Sequence, residues 1–180
     1  MKEDARVRYT KKALRDALFQ CLKTKQLQDI TVKEISETAN LNRATFYKHY
    51  RDCFDLLEQI ENEMLNDFRE LIESHPGAGN TILGDLMKIH EKYADLQSAL
   101  SHGVFAENLQ LKIKALMHEF MYEQFTIEMP KATEAEIEMT FSIICSAFFQ
   151  LSVRESERFS RDEIVNFMNK IVPSIFAQYK

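Results

Sequence analysis

Glycine and proline are scarce, at 4 and 3 among 180 residues. Sheet proteins turn often, and tight turns draw on those two residues. The shortage predicts an all-α chain. Cysteine is nearly absent as well. Cys21, Cys53 and Cys145 are far apart and odd in number, which argues against a disulfide framework and for free, buried thiols in a reducing cytoplasm. The opening MKEDARVRYTKK has no apolar h-region, so no secretory signal is read there. The longest uncharged stretch, Met139 to Val153, falls short of the roughly 20 residues of a membrane span. Thr140, Ser142, Ser146 and Gln150 also interrupt it. A cytoplasmic protein without a membrane partner is expected.

Catalytic and metal motifs are missing too. There is no GxGxxG, no GxSxG and no P-loop; Gly77-Ala-Gly79 lacks the further glycines and a preceding strand. The carboxylates fall mostly on polar helix faces. The five histidines form no HxxxH or HExxH pair. No enzyme, no cofactor and no metal site is expected.

What the chain does have is a lopsided charge. The net charge is -5, but residues 1–51 carry a balance of +6 and the other residues -11. A basic head on an acidic body suggests that only the head meets a polyanion. With 45% apolar residues the chain can also bury a real core.

Helical periodicity runs almost throughout. The first helix is expected from about Asp4 to Lys25, on Tyr9, Ala13, Leu14, Ala17, Leu18, Cys21 and Leu22. Thr31-Val-Lys-Glu34 is a capping box opening a short helix, in which the Thr hydroxyl takes a free amide and Glu34 reaches back. Asn40, a residue that tolerates the left-handed conformation, ends that helix, and Leu41 plugs the corner. Asn42 caps a second short helix, Arg43 to Tyr50, whose apolar positions are only Phe46 and Tyr50. Asp52 caps a long helix to about Ser74. His75-Pro-Gly-Ala-Gly-Asn80 is a break. Helices are expected at Thr81–Tyr93, Asp95–Ser101 and Phe105–Phe125, with Gly103 at a turn and a break at Met129-Pro130. Capping boxes at Thr133–Glu136 and Ser160–Glu163 open two more, the first to about Arg154; Pro173 should bend the last.

Two capped helices around a short turn have the layout of a helix-turn-helix. Its second helix must be exposed and slim enough to enter the major groove. Ala44 and Thr45 are small, and Tyr47, Lys48 and His49 can donate to phosphates. An ordinary helical corner with a merely solvated face is the plainer alternative. The basic excess in the same segment, and a Tyr beside Lys and His, favour the DNA reading.

The string ITVKEISETANLNRATFYKHYRDCFDLL, with ATFYKHY at its centre, resembles the signature of the TetR family of bacterial regulators over about residues 8–60. That resemblance implies a DNA-binding domain at 1–51 and a helical dimerisation and effector-binding domain at 52–180. Carried over by position, Thr31 meets a phosphate, and Arg43, Ala44, Thr45 and Lys48 lie closest to bases, with Asn42 at the helix start. Tyr47 and His49 clamp phosphates, while Tyr9, Thr10 and Lys11 add backbone contacts. The family usually has Gly where this chain has Asn40. Many members have Lys where it has Cys53, so Arg51 is taken to supply that charge.

In the body, the helix after Thr133 is apolar nearly all round and so must be covered nearly all round. A homodimer is expected, through Phe141, Ile144, Phe148 and Leu151 with Ile164, Phe167, Met168, Ile171 and Ile175. The resemblance implies the same four-helix arrangement. Such a dimer, by default a repressor, would read a near-palindromic operator in grooves about 34–36 Å apart. A small-molecule effector in the body could tilt the long helix and change that spacing; His90, Tyr93, His118, Met121 and Tyr122 are its candidate pocket. The competing function is a protein-interaction module that keeps the helix-turn-helix fold but recruits another regulator.

Overall fold

The computed structural model describes residues 5–74, 83–94, 104–155 and 158–180, and among them every regular element is a helix. The helices expected at Asp95–Ser101 and the breaks at His75–Asn80 and Gly103 lie outside the described residues. No described helix is long and apolar enough to cross a membrane. The chain divides into two compact units, Met1–Glu63 and Met64–Lys180.

The first unit holds α1 (Ala5–Leu22), a 3-10 turn (Leu27–Asp29), α2 (Val32–Thr38), α3 (Arg43–Tyr47) and the start of α4 (Cys53–Ser74). Leu14, Leu18, Ile35, Phe46 and Leu56 are fully buried. Tyr9, read as part of the α1 stripe, is 73% exposed, and Phe19 is buried instead. Helix α1 is pinned to α4 by Arg15, which donates to Glu63.

Within this unit Ser36 is 1% exposed, and its hydroxyl has no hydrogen-bond partner among the described residues. A stranded buried hydroxyl costs more than a methyl in the same place. Ser36→Ala should raise unfolding free energy by about 1 kcal/mol. The check is a higher urea midpoint at unchanged slope.

The second unit holds the rest of α4, then α5 (Leu83–Lys92), α6 (Val104–Glu128), α7 (Glu134–Phe149), a π turn (Gln150–Arg154), α8 (Arg161–Phe176) and a closing 3-10 turn (Ala177–Tyr179). Both expected capping boxes are present, at Thr133 with Glu136 and at Ser160 with Glu163. The regular part of α7 stops at Phe149, short of the expected Arg154. The chain there widens, and the Glu155 amide bonds the Gln150 carbonyl at 3.1 Å, five residues back. Pro173 sits inside α8.

Lys114 pairs with Ser142 and His118 with Glu138, so α6 and α7 run antiparallel. Phe125, Met129, Ile137 and Phe141 form the core at their shared corner, with Phe176 and Tyr179 packed against it. The Lys131 amide bonds the Tyr179 carbonyl at 3.1 Å and Lys180 pairs with Glu128 at 3.0 Å, which ties the chain's end to that corner.

Candidate nucleic-acid interface

The helix-turn-helix is built by local chemistry. The Thr31 side chain accepts from the Glu34 amide at 3.2 Å, while the Thr31 amide and hydroxyl donate to Glu34 at 3.0 and 2.8 Å. Lys25 also reaches Glu34. The Lys25 ammonium, and after it Thr31, hold the Glu34 carboxyl down to about 2 from 4.5. This charge-assisted clasp stabilises the fold above the ordinary carboxylate pKa and is lost as pH falls from 4.5 through 2. Thermal melts across that window should fall less steeply for Glu34→Gln than for the wild type; equal slopes would deny the clasp a role.

The turn depends on Asn40. Its φ is 54°, the only positive value for a non-glycine residue among those described. Asn does here what Gly does elsewhere, because its short polar side chain tolerates the left-handed region. The Leu41 amide then bonds back to the Ser36 carbonyl at 2.8 Å. Asn40→Gly should be tolerated, whereas Asn40→Val should cost about 1–2 kcal/mol, read from the urea midpoint.

Helix α3 starts on Asn42, whose side-chain oxygen accepts from the Ala44 amide at 2.8 Å. It ends three residues earlier than periodicity suggested. The Phe46 carbonyl accepts from both His49 and Tyr50 amides, at 2.9 and 3.0 Å, which tightens the last turn. Phe46 is fully exposed to none of the solvent and Tyr50 is 5% exposed; their rings lie 5.7 Å apart. These two anchors leave the opposite face outward.

On that face Arg43, Ala44, Tyr47 and Lys48 are exposed, and Thr45 and His49 are half-buried. Tyr47 is 59% exposed, with its ring edge-on to Phe46. Neither Arg43 nor Lys48 has a carboxylate partner among the described residues, and the Tyr47 hydroxyl has no hydrogen bond there. Arg51 is exposed and spans 3.5 Å to Asp55. The Cys53 thiol turns inward and donates to the Ile30 carbonyl, and burial pushes it up to about 11. Position 53 is therefore core and offers no surface charge. Of the α1 candidates, Tyr9 is exposed, while Thr10 and Lys11 are half-buried. The Thr10 hydroxyl donates to the Arg6 carbonyl at 2.9 Å. Thr31 is exposed, but both its donors are engaged by Glu34.

The second unit contains an apolar cavity between α4, α5, α6 and α7. Phe68, Met117, Met121, Phe148 and Phe149 contribute walls, with His90 and Lys114 among the polar members. Its free space, counted as the room open to the centre of a water molecule, is about 70 Å³. That is about five times what one water needs. Of the candidate pocket residues, His90 and Met121 line it. Tyr93 is buried and donates to Asp67 at 2.7 Å. His118 stacks on Tyr122 at 4.3 Å and pairs with Glu138 at 2.9 Å, and neither ring is among the lining residues. Lys114 went unnoticed in the sequence. Its signal was there: it shares a helical face with Gln110, Met117 and Met121, a lone cation on an apolar stripe.

The chain has close structural likenesses. A TetR family repressor, AlkX of Dietzia sp. strain DQ12-45-1b, superposes with a TM-score of 0.51 over 93% of this chain and 97% of its own, at 16% identity. The fold is that of the TetR-type regulators. The dihydroxyacetone kinase operon activator DhaS matches at a TM-score of 0.58 over 94% of this chain and 96% of its own, at 19% identity. The fatty acid degradation regulator FadR from Bacillus halodurans gives 0.64 over 96% and 97%, at 15% identity. In sequence, an uncharacterized HTH-type transcriptional regulator of Bacillus subtilis (strain 168), YxbF, is 37% identical over 51 residues. That match covers 28% of this chain and 13% of YxbF. No family model matches the sequence. By name, AlkX is a repressor, DhaS an operon activator, and FadR and YxbF are regulators.

Where the expected dimer residues lie differs from their reading as one outward stripe. Phe141, Ile164 and Met168 are 0, 2 and 2% exposed and Phe148 is 8%. In the single chain their own helices cover them. Ile144, Leu151 and Ile175 are half-buried. Phe167 and Ile171 are 53 and 39% exposed on α8, and Met139 and Ile143 are 57 and 63% exposed on α7. The outward apolar rows are thus one step round each helix from the buried ones.

Proposed function

We propose that the protein is a cytoplasmic, dimeric TetR-like transcription regulator, with residues 1–51 reading DNA and residues 52–180 supplying dimerisation and an effector site. One observation carries it most. Helix α3 presents Arg43, Ala44, Tyr47 and Lys48 outward from an anchor of Phe46 and Tyr50, and its two cations have no carboxylate partner among the described residues. An exposed cationic helix with small residues at its start suits base edges and flanking phosphates.

Met139, Ile143, Phe167 and Ile171 support the dimer, since monomers rarely leave such apolar rows in water. A two-fold pair of α3 helices would read a near-palindrome. Helix α4 supplies Leu56 and Ile60 to the buried set of the first unit and Phe68 to the cavity of the second, so a ligand on Phe68 acts on the head's own helix. Repression by the free dimer, relieved by a ligand, is the simplest scheme.

Selection of fragments from a random DNA pool tests the reading. An enriched, near-palindromic sequence bound by a dimer is expected. Failure to enrich any sequence would overturn it in favour of a module that recruits another regulator.

A further inference from the structure

Lys114 is the one lysine or arginine lining the apolar cavity among the described residues. Its ammonium donates to the Ser142 hydroxyl at 2.8 Å and has no acidic partner there. The next rung between the same helices, Glu138, already takes His118 at 2.9 Å. Lys114 is half-buried and shares the cavity wall with Met117 and Phe148, and its ammonium, met only by a neutral hydroxyl, lacks the counter-charge that makes such burial favourable. An anion would supply it. His90 is hemmed by aromatic rings, with Phe68 at 5.6 Å and Phe148 at 5.4 Å. Cys145, another wall residue, is pushed up to about 12 by burial, so it stays a neutral thiol.

We infer that the cavity takes a small amphipathic carboxylate, its carboxylate on the Lys114 ammonium and its apolar tail among Phe68, Met117, Met121 and Phe148. One ammonium with one hydroxyl matches a single negative charge. A phosphate carries nearly two charges, whereas Lys114 is the one lysine or arginine these walls hold among the described residues, beside neutral Gln110 and Ser146. A neutral apolar ligand would fill the walls yet leave Lys114 unpaired. The assignment rests on the regulator reading only in calling this ligand the effector.

The test titrates the full chain calorimetrically with octanoate and with octan-1-ol, the same tail bearing no charge. Octanoate should bind about ten- to a hundredfold more tightly, the range of a hydrogen bond to a charged group. Lys114→Met keeps the apolar stem and should erase that preference. Equal binding of acid and alcohol by the wild type, or no binding of either, overturns the assignment. The wild-type comparison decides it even where the variant fails to fold. Failure of the regulator reading looks different: octanoate binds through Lys114, yet no DNA sequence is enriched by the ligand-free protein. Enrichment without octanoate binding sinks the cavity assignment alone.

Discussion

Replacing Arg43 and Lys48 together by alanine should weaken binding to the selected operator by about 30-fold to 10⁴-fold. Each contact of this kind contributes about 1–3 kcal/mol, and every 1.4 kcal/mol is about tenfold. The fold should not suffer, because both side chains are exposed and neither has a carboxylate partner among the described residues. Circular dichroism and the urea midpoint should match the wild type within about 0.5 kcal/mol. The single variants separate two roles. A lysine on a phosphate contributes about 0.9 to the salt slope and nothing to sequence choice. If Lys48 takes a phosphate, Lys48→Ala should lower the slope by about 1 and weaken all sequences alike; if it lies on a base, as the family position implies, it should instead relax one base preference. Arg43→Ala should relax the preference at one base position of each half-site. Fluorescence anisotropy across a salt series measures both. Unchanged affinity in the double variant would mean that α3 does not enter the groove.

Much of this helix-turn-helix was legible because its determinants are local. A Thr–Glu box at residues 31–34, an Asn at the left-handed position 40 and an Asn cap at 42 each act within four residues, so sequence alone locates them. The inward turn of Phe46 and Tyr50 was equally readable, four apart on a helix with no other apolar positions. The end of α3 was not, since it depends on the Phe46 carbonyl taking two amides at once. Nothing in Lys48-His49 marks a stop.

The body was legible in its elements and less so in its faces. Helix α7 carries apolar residues both on the Ile137–Phe141–Phe148 side and on the Met139–Ile143 side. Periodicity finds both rows and cannot say which one the chain's own helices cover. That choice is made by distant partners such as Phe125, Met129 and Phe176, which reach the first row and leave the second in water. Lys114 was passed over for a related reason. A cation on a helix is normally solvated, and only the walls around the cavity show that this one is half-buried.

The same division of faces yields the second large effect. Ile143→Asp combined with Phe167→Asp should convert the proposed dimer to a folded monomer. On the isolated chain both sites are more than half exposed, at 63 and 53%, so the new carboxylates stay hydrated and cost little stability. In an isologous interface each substitution appears twice, and every carboxylate would lose its water without a partner. A buried unpaired charge costs at least several kcal/mol, so the dimer dissociation constant should rise by about 10³-fold or more. Sedimentation velocity at micromolar concentration reads this directly, and operator binding should fall with it, because one α3 sees only half a palindrome. Phe141→Ala supplies the contrast. Phe141 is fully buried between Phe125 and His118 rings, at 5.3 and 5.2 Å. Its loss should cost about 3–5 kcal/mol of stability in each chain. The first variant separates the subunits and spares the fold; the second weakens the fold. A wild type that sediments as a monomer, or an Asp pair that leaves the dimer intact, would move the interface off these two rows.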